Sequence, residues 1–288
     1  MFDFLNQPAG FDIGETGMLV YDAAQPLWRA MLVGLGNTLR VALPALVAAT
    51  VLGTLVGLGR RSPSRPARLV AMAYIEAIRN VPLLVQLLLW YFLLVEWLPD
   101  STHALAIMPG VWLSKGGLAF PWPWGLDAMG AKVWRWSVPM QGTFNVSGGA
   151  AVTPEYLAVA LALTLYTAAF FAEVVRGGLE SVSPSLAEAA QTLGARPWQV
   201  IWKVVLPQAL RAIVPAATNQ YLNLIKNSSL AVAVGYPDLV SVGNTALNQT
   251  GKAVECVAIM MSVYLTLSLL TSGLMNAYNR RHALREGR

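Results

Sequence analysis

The sequence predicts an all-α, polytopic membrane protein with five spanning helices. Three observations predict it: an apolar composition, long apolar runs, and basic residues confined to short segments between those runs. Of 288 residues, 56% are hydrophobic and 12% charged, and the mean hydropathy is +0.52. One water-soluble core of ordinary composition does not absorb that much apolar surface, so the excess is expected to face lipid. A formal charge of +5 and a pI near 9.5 would point to nucleic acid in a soluble chain. Here the arginines cluster between apolar runs, and a membrane surface accounts for them better. Cys256 is the only cysteine, which leaves no internal disulfide and no multi-cysteine metal site; it reads as a small buried hydrophobe.

The elements follow in order. Residues 1–28 precede the first span, and residues 1–22 carry four acids, no basic n-region and no apolar h-region, so no cleavable signal peptide is evident. A span needs about 20 largely apolar residues. The first two lie within 29–98, at Val41 to Gly59 and Leu69 to Trp97, with Arg29 and Arg40 on an extended first helix whose outer end reaches the headgroups. Residues 99–153 form a Pro-, Gly- and Trp-rich insertion. Its Trp112, Trp122, Trp124, Trp134 and Trp136 suit an interfacial lid or headgroup anchors, with anchoring favoured. Residues 154–279 hold the other three spans: Leu157 to Val175, Val204 to Leu224, and Val257 to Ala277. The fourth is interrupted by Pro207, Arg211, Pro215 and Asn219, the pattern of a kinked helix facing protein or a wet path.

Charge sets the orientation. The loop from Arg60 to Arg68 carries Arg60, Arg61, Arg65 and Arg68 without an acid, and the tail 280–288 carries Arg280, Arg281, Arg285 and Arg288 against Glu286. By the positive-inside rule both are cytoplasmic. Five spans then place the acidic N-terminus and the insertion outside, and the connection 177–203 inside.

Ser183 to Pro207 reads SPSLAEAAQTLGARPWQVIWKVVLP. Ser183 can cap a helix with Pro184 at its first position, and Ser185 with Glu188 fits an alternative capping box. The helix would carry Leu186, Ala189, Ala190 and Leu193 on one stripe and stop at Gly194. It is too short to stand alone in water and too weakly apolar to enter lipid, so it wants a protein groove. A plain amphipathic connector on the membrane surface is the competing reading.

The pattern Glu188-Ala189-Ala190, then Gly194 three residues after Gln191, then Ile201 and Leu206-Pro207, resembles the EAA signature of ABC importer permeases. The resemblance implies a five-helix type I ABC importer core in a bacterial inner membrane, with a cytoplasmic coupling helix docked on a separate ATPase subunit through Glu188, Ala189 and Ala190. Gly194 would allow the sharp turn. ATP and Mg would sit on the partner ATPase, with no cofactor on this chain, which has no GxxxxGK[ST] phosphate loop. A second permease chain, identical or related, and a periplasmic amino-acid-binding protein complete the implied assembly, with no nucleic acid.

Further runs resemble polar amino acid permeases: Arg79, Pro82, Leu83 and Gln86 in the second span, AEVVRGGLESV from Ala172 to Val182, and the stretch around Pro215, Asn219, Lys226 and Ser228-Ser229-Leu230. The N-terminal FDFLNQPAGFDIGE resembles the general L-amino-acid permease branch, whose members usually carry an additional N-terminal hydrophobic segment and a longer insertion. Glu76 with Arg79 and Glu173 with Arg176 are spaced to pair locally. Arg79, Asn80, Pro82 and Gln86 can line a polar path suited to a zwitterion. Asn219, Asn223, Lys226, Asn227, Ser228 and Ser229 suit either a solvated external turn or a re-entrant turn beside the substrate route. The expected function is inward translocation of amino acids, or of another small polar solute. A secondary carrier usually needs more spans in one chain. A membrane enzyme is disfavoured by the absence of H-E-x-x-H, G-x-S-x-G and paired intramembrane aspartates.

Overall fold

The computed structural model describes residues 2–17, 19–126 and 132–284. Arg285 and Arg288 of the basic tail, with Glu286, lie outside the described residues. The helices are α1 (Leu27–Arg60), α2 (Arg65–Arg79), α3 (Leu83–Phe92), α4 (Pro154–Glu180), α5 (Pro184–Thr192), α6 (Pro197–Val200), α7 (Leu206–Asn227), α8 (Leu239–Thr250) and α9 (Ala253–Leu284). Four helical stretches are long and apolar enough to cross a membrane: Leu27–Arg60, Pro154–Glu180, Pro197–Val234 and Ala253–Asn279. A fifth candidate is the pair Arg65–Arg79 and Leu83–Trp97. The expected single helix from Leu69 to Trp97 is therefore corrected to two helices. Pro82 has no N–H to continue the ladder and disfavours helical backbone in Val81 before it, so α2 ends where Asn80 N–H donates to Glu76 C=O (3.2 Å).

The chain divides into two compact units. The first comprises Met1–Pro82, Leu163–Ser229 and Pro237–Arg288. Within it α1 packs closely on α4. A Cβ built at Gly53 would lie 2.8 Å from the Ala168 carbonyl oxygen, and one at Gly57 would lie 2.7 Å from that of Ala172. Only glycine permits this approach, as in small-xxx-small helix pairs. At its N-terminal half, α1 shares a core with the N-terminal segment, α8 and α9: Phe4, Ala9 and Ile13 are buried with Leu27, Val33, Val242, Cys256 and Met260. Pro8 bridges to Pro26, and the Asn37 amide donates to the carbonyls of Glu15 (2.6 Å) and Pro237 (2.9 Å). The Glu15 carboxylate pairs with Arg40. Arg40 therefore has a partner on its own chain, where a snorkelling arginine had been expected.

Asp238 caps α8 by accepting the Ser241 N–H (2.8 Å) and is fully buried. Thr38 Oγ1 accepts the next backbone N–H, that of Leu239 (3.1 Å), so α1 holds this cap from below.

The second unit comprises Leu83–Ala162 and Leu230–Tyr236. Its insertion folds into short strands, which composition alone did not assign: β1 (Leu105–Met108), β2 (Val111–Ser114), β3 (Gly117–Phe120), β4 (Trp122–Leu126), β5 (Lys132–Ser137), β6 (Met140–Gln141), β7 (Val146–Ser147) and β8 (Ala150–Val152). β1, β2, β3 and β8 form an antiparallel sheet in that order, while β4–β5 and β6–β7 form separate pairs. Trp112 Nε1 donates to Pro139 C=O (3.1 Å), tying β2 to the chain before β6. Trp134 and Trp136 on β5 are exposed.

Candidate functional site

α5 is nine residues long and has no buried residue. Its geometry follows the sequence closely at both ends. Pro184 takes the first helical position, where its missing N–H costs nothing. The C-terminus closes in a Schellman motif: Gly194 N–H donates to Gln191 C=O (2.8 Å) and Ala195 N–H to Ala190 C=O (3.0 Å). Gly194 has φ +85° and open space around its α-carbon, so conformation, not crowding, demands glycine there. The side-chain capping did not form as expected. Ser183 Oγ lies 2.7 Å from Ser185 Oγ and makes no cap bond. Glu188 is exposed, and among the described residues no hydrogen bond joins it to Ser185, so the capping box is also corrected.

Nine residues are too few for a stable isolated helix. α5 is supported by packing against the following 201–205 segment. Its outer face is left open: Glu188 and Ala189 are exposed, Leu193 is 88% exposed, and Trp198, Ile201 and Trp202 extend the patch. Leu206 and Pro207 mark a change of helix type. Pro207 has no N–H for the Lys203 carbonyl, and the ladder widens into a π-turn at Ile201–Val205, with Leu206 N–H donating to Ile201 C=O, before α7 begins.

α7 carries one exposed polar stripe, Arg211, Pro215, Asn219, Asn223 and Lys226, at helical spacing. Its other side is buried through Ala209, Ile213, Ala217, Leu224 and Ile225. Tyr221 fixes the rotation of the helix. Its ring stacks on Phe171 (centroids 5.9 Å apart, planes at 11°), and its hydroxyl lies 3.0 Å from Thr50 Oγ1. Ser228 is fully buried and donates to Ile225 C=O (2.7 Å), while Ser229 donates to Lys226 C=O (2.7 Å). Both readings of a turn at these serines are therefore corrected: the chain continues as a 3-10 helix, Ser228–Val234, and turns at Gly235.

The remaining residues expected to line a polar path fall on either side of the Pro82 break. Arg79 ends α2 with its guanidinium over the Phe170 ring (5.0 Å to the centroid), and no ion pair joins it to Glu76 among the described residues. Gln86 belongs to α3 and is 4% exposed. The helix spacing that would have put Arg79 and Gln86 on one face does not survive the break. Glu173 and Arg176 do pair (2.9 Å); Arg176 also bonds Glu180, and Arg60 lies 4.0 Å from Glu173. Sequence reasoning did not single out Gly53, Gly57, Tyr221 or the Asn37–Thr38–Asp238 group. The Gly53-x-x-x-Gly57 spacing was the one available signal.

α5 is thus an exposed helix joined through a π-turn to a span that carries one exposed polar stripe. The family model described as binding-protein-dependent transport system inner membrane component matches residues 49–283. The chain belongs to that family. Like its other members, it is a multi-pass inner-membrane permease component, with ATP hydrolysis carried by a separate subunit. Among relatives, it is 39% identical to the general L-amino acid transport system permease protein AapQ of Rhizobium johnstonii, over 99% of this chain and 84% of that protein. It is 38% identical to the putative amino-acid ABC transporter permease protein YhdX of Escherichia coli, over 99% and 86% respectively. A solved amino acid ABC transporter with histidines superposes with a TM-score of 0.63 at 26% identity, covering 88% of this chain and 94% of that one.

Proposed function

We propose that this ABC importer permease passes amino acids inward along the polar stripe of α7, driven through residues 183–207 by a separate ATP-hydrolysing subunit. The observation that carries the coupling assignment is α5 itself: a rigidly stopped helix with no buried residue, on which Glu188 and Ala189 are exposed and Ala190 is half-buried. Small side chains at Ala189 and Ala190 let a partner backbone approach, and Glu188 offers a carboxylate to donors in the partner's cleft. ATP and Mg belong to that partner. Leu206 and Pro207 transmit the displacement of α5 to α7 through the π-turn.

Asn219, Asn223, Lys226 and Ser229 supply hydrogen-bonding groups and a cation for the carboxylate of a zwitterion, and Arg79, Asn80 and Pro82 mark a second polar stretch where a span is broken. Ser228 supports the path from behind. The relatives named for amino acids favour that substrate class. A stripe with a lysine and two asparagines is costly against hydrocarbon, so it needs a facing surface. A second permease chain, identical or related, provides it, and a periplasmic binding protein delivers the solute. The arginine-rich loop 60–68 favours α5 and the C-terminus in the cytoplasm, with the N-terminus and insertion outside.

The test is ATP-dependent uptake of a panel of labelled amino acids into proteoliposomes holding the intact transporter, compared with Glu188→Lys and Gly194→Pro. The expected result is that both variants insert normally but lose the ATPase on pull-down, with uptake falling at least about tenfold. Normal uptake and retention of the ATPase in both would overturn the coupling assignment. Uptake of no amino acid by an intact, ATP-hydrolysing complex would overturn the substrate class.

A further inference from the structure

Where α1 leaves its last turn and α2 returns, the two helices enclose a groove of about 550 Å³. It is lined by Leu52, Val56, Val70, Tyr74 and Leu165, with Gly59 and Pro66 at its end. The volume is within the range of small-ligand pockets, roughly 300–1,000 Å³, yet the lining offers a ligand almost no polar group. The Tyr74 hydroxyl is already committed to Leu165 C=O (2.7 Å). Leu55, Leu69 and Val70 beside it are each more than half exposed. An amino acid has nothing to bind here, and water is a poor occupant.

The end of the groove has the opposite chemistry. Arg61, Arg65 and Arg68 lie within or beside the turn that joins Gly59 to Pro66, all are exposed, and among the described residues none is in an ion pair. Among the described residues, Arg60 is the one arginine of this turn that meets an acid, Glu173 at 4.0 Å. The Arg68 guanidinium also donates to Ser62 C=O (3.4 Å), which holds it over the turn. No acid stands in the first turn of α2, so its free N–H groups add to the positive field.

We propose that this groove is a binding site for one anionic bilayer phospholipid, with an acyl chain lying between α1 and α2 and the headgroup phosphate held by Arg61, Arg65 and Arg68. An apolar slot lined at its end by Gly59 and Pro66, next in sequence to three exposed arginines that meet no acid among the described residues, matches the two halves of such a lipid. A basic cluster at the end of a spanning helix is the usual site of anionic headgroup attraction. The site rests on the chain's place in the membrane and not on the substrate or coupling assignments.

The experiment is native mass spectrometry of the purified intact transporter in detergent, titrated with phosphatidylglycerol and, separately, with phosphatidylcholine of the same chain length. The variants are the triple substitution Arg61→Gln, Arg65→Gln, Arg68→Gln, and the groove-filling Val70→Trp. The unaltered complex is expected to retain phosphatidylglycerol about tenfold more tightly than phosphatidylcholine. The triple variant loses that preference, and Val70→Trp lowers retention of both lipids. The triple variant changes only exposed side chains, so it remains informative if Val70→Trp does not fold. Equal retention of the two lipids, or a preference that survives the triple substitution, overturns the proposal. So does a change in subunit stoichiometry in Val70→Trp without any change in lipid, which would make this face a contact between chains.

Discussion

Gly57 shows how much of this fold hangs on single atoms. A side chain there has no room, because even its Cβ would meet the Ala172 carbonyl oxygen at 2.7 Å. Gly57→Val is therefore expected to destabilise the complex by about 1–3 kcal/mol. The measurement is the thermal unfolding midpoint in detergent, with Gly36→Ala as the control, since a Cβ at Gly36 meets only Leu19 Cδ1 at 3.8 Å. Asp238 gives a different test at the same scale. It lies in the link before α8, and burial raises its carboxyl pKa to about 6, although the Ser241 N–H opposes the shift. A carboxyl whose folded pKa is raised contributes stability that is fully present below its unfolded pKa, about 4, and lost as pH rises through 6. Asp238→Asn is neutral throughout, so the unfolding midpoint of the unaltered protein should fall relative to that of the variant between about pH 4 and pH 6. Parallel curves would show that Asp238 does not titrate in this window.

At the scale of elements, the π-turn at Ile201–Val205 matters most. It exists because Pro207 cannot donate to Lys203, and it sets the rotation of the segment before it, proposed to couple to the ATPase, against α7. In Pro207→Ala a normal ladder becomes available, and one residue of π-geometry corresponds to a rotation of about 100°. That variant is expected to bind its ATPase and hydrolyse ATP while moving several-fold less substrate per ATP, measured in proteoliposomes. Unchanged stoichiometry would separate the π-turn from coupling. These elements also show what was legible in the sequence. The stop of α5 at Gly194 was readable because only glycine takes φ +85° without cost and the Schellman bonds are local. The break at Pro82 was signalled by the proline yet missed, because the hydropathy from Leu69 to Trp97 is continuous and a proline alone does not tell a kink from a break. The strands of the insertion were hidden for another reason. They are two to six residues long and alternate weakly, and their pairing is decided by register across the sheet, which local composition does not carry.

For the whole molecule, the spans and their family were readable because lipid imposes a length and polarity rule on every segment. Contacts between distant segments were not. The Asn219, Asn223 and Lys226 stripe is readable in the sequence from its helical spacing, but which way it faces is settled only once Tyr221 fixes the rotation of α7 against α1 and α4. In the assembled transporter, Asn223→Cys is expected to react with a membrane-impermeant thiol reagent and to be protected when the pore closes on its side. Cys256 is buried and should contribute little background. No labelling in any nucleotide state would place the stripe away from water and against the assigned path.

The core shared by the two ends of the chain also imposes a chronology. Phe4, Ala9 and Ile13 share one core with Leu27 and Val33 of α1 and with Val242, Cys256 and Met260. A ribosome adding about 5–20 residues per second delivers those last three some tens of seconds after the N-terminal segment has emerged. Until then the segment has only α1 to pack on, and Phe4, Ala9 and Ile13 must be shielded in part by the insertion machinery or the bilayer. Helix α9, made long after that segment, thus completes the core in which the segment settles. A nascent chain arrested before Val242 should leave its N-terminal segment open to protease, with protection appearing only once α9 has been released into the membrane.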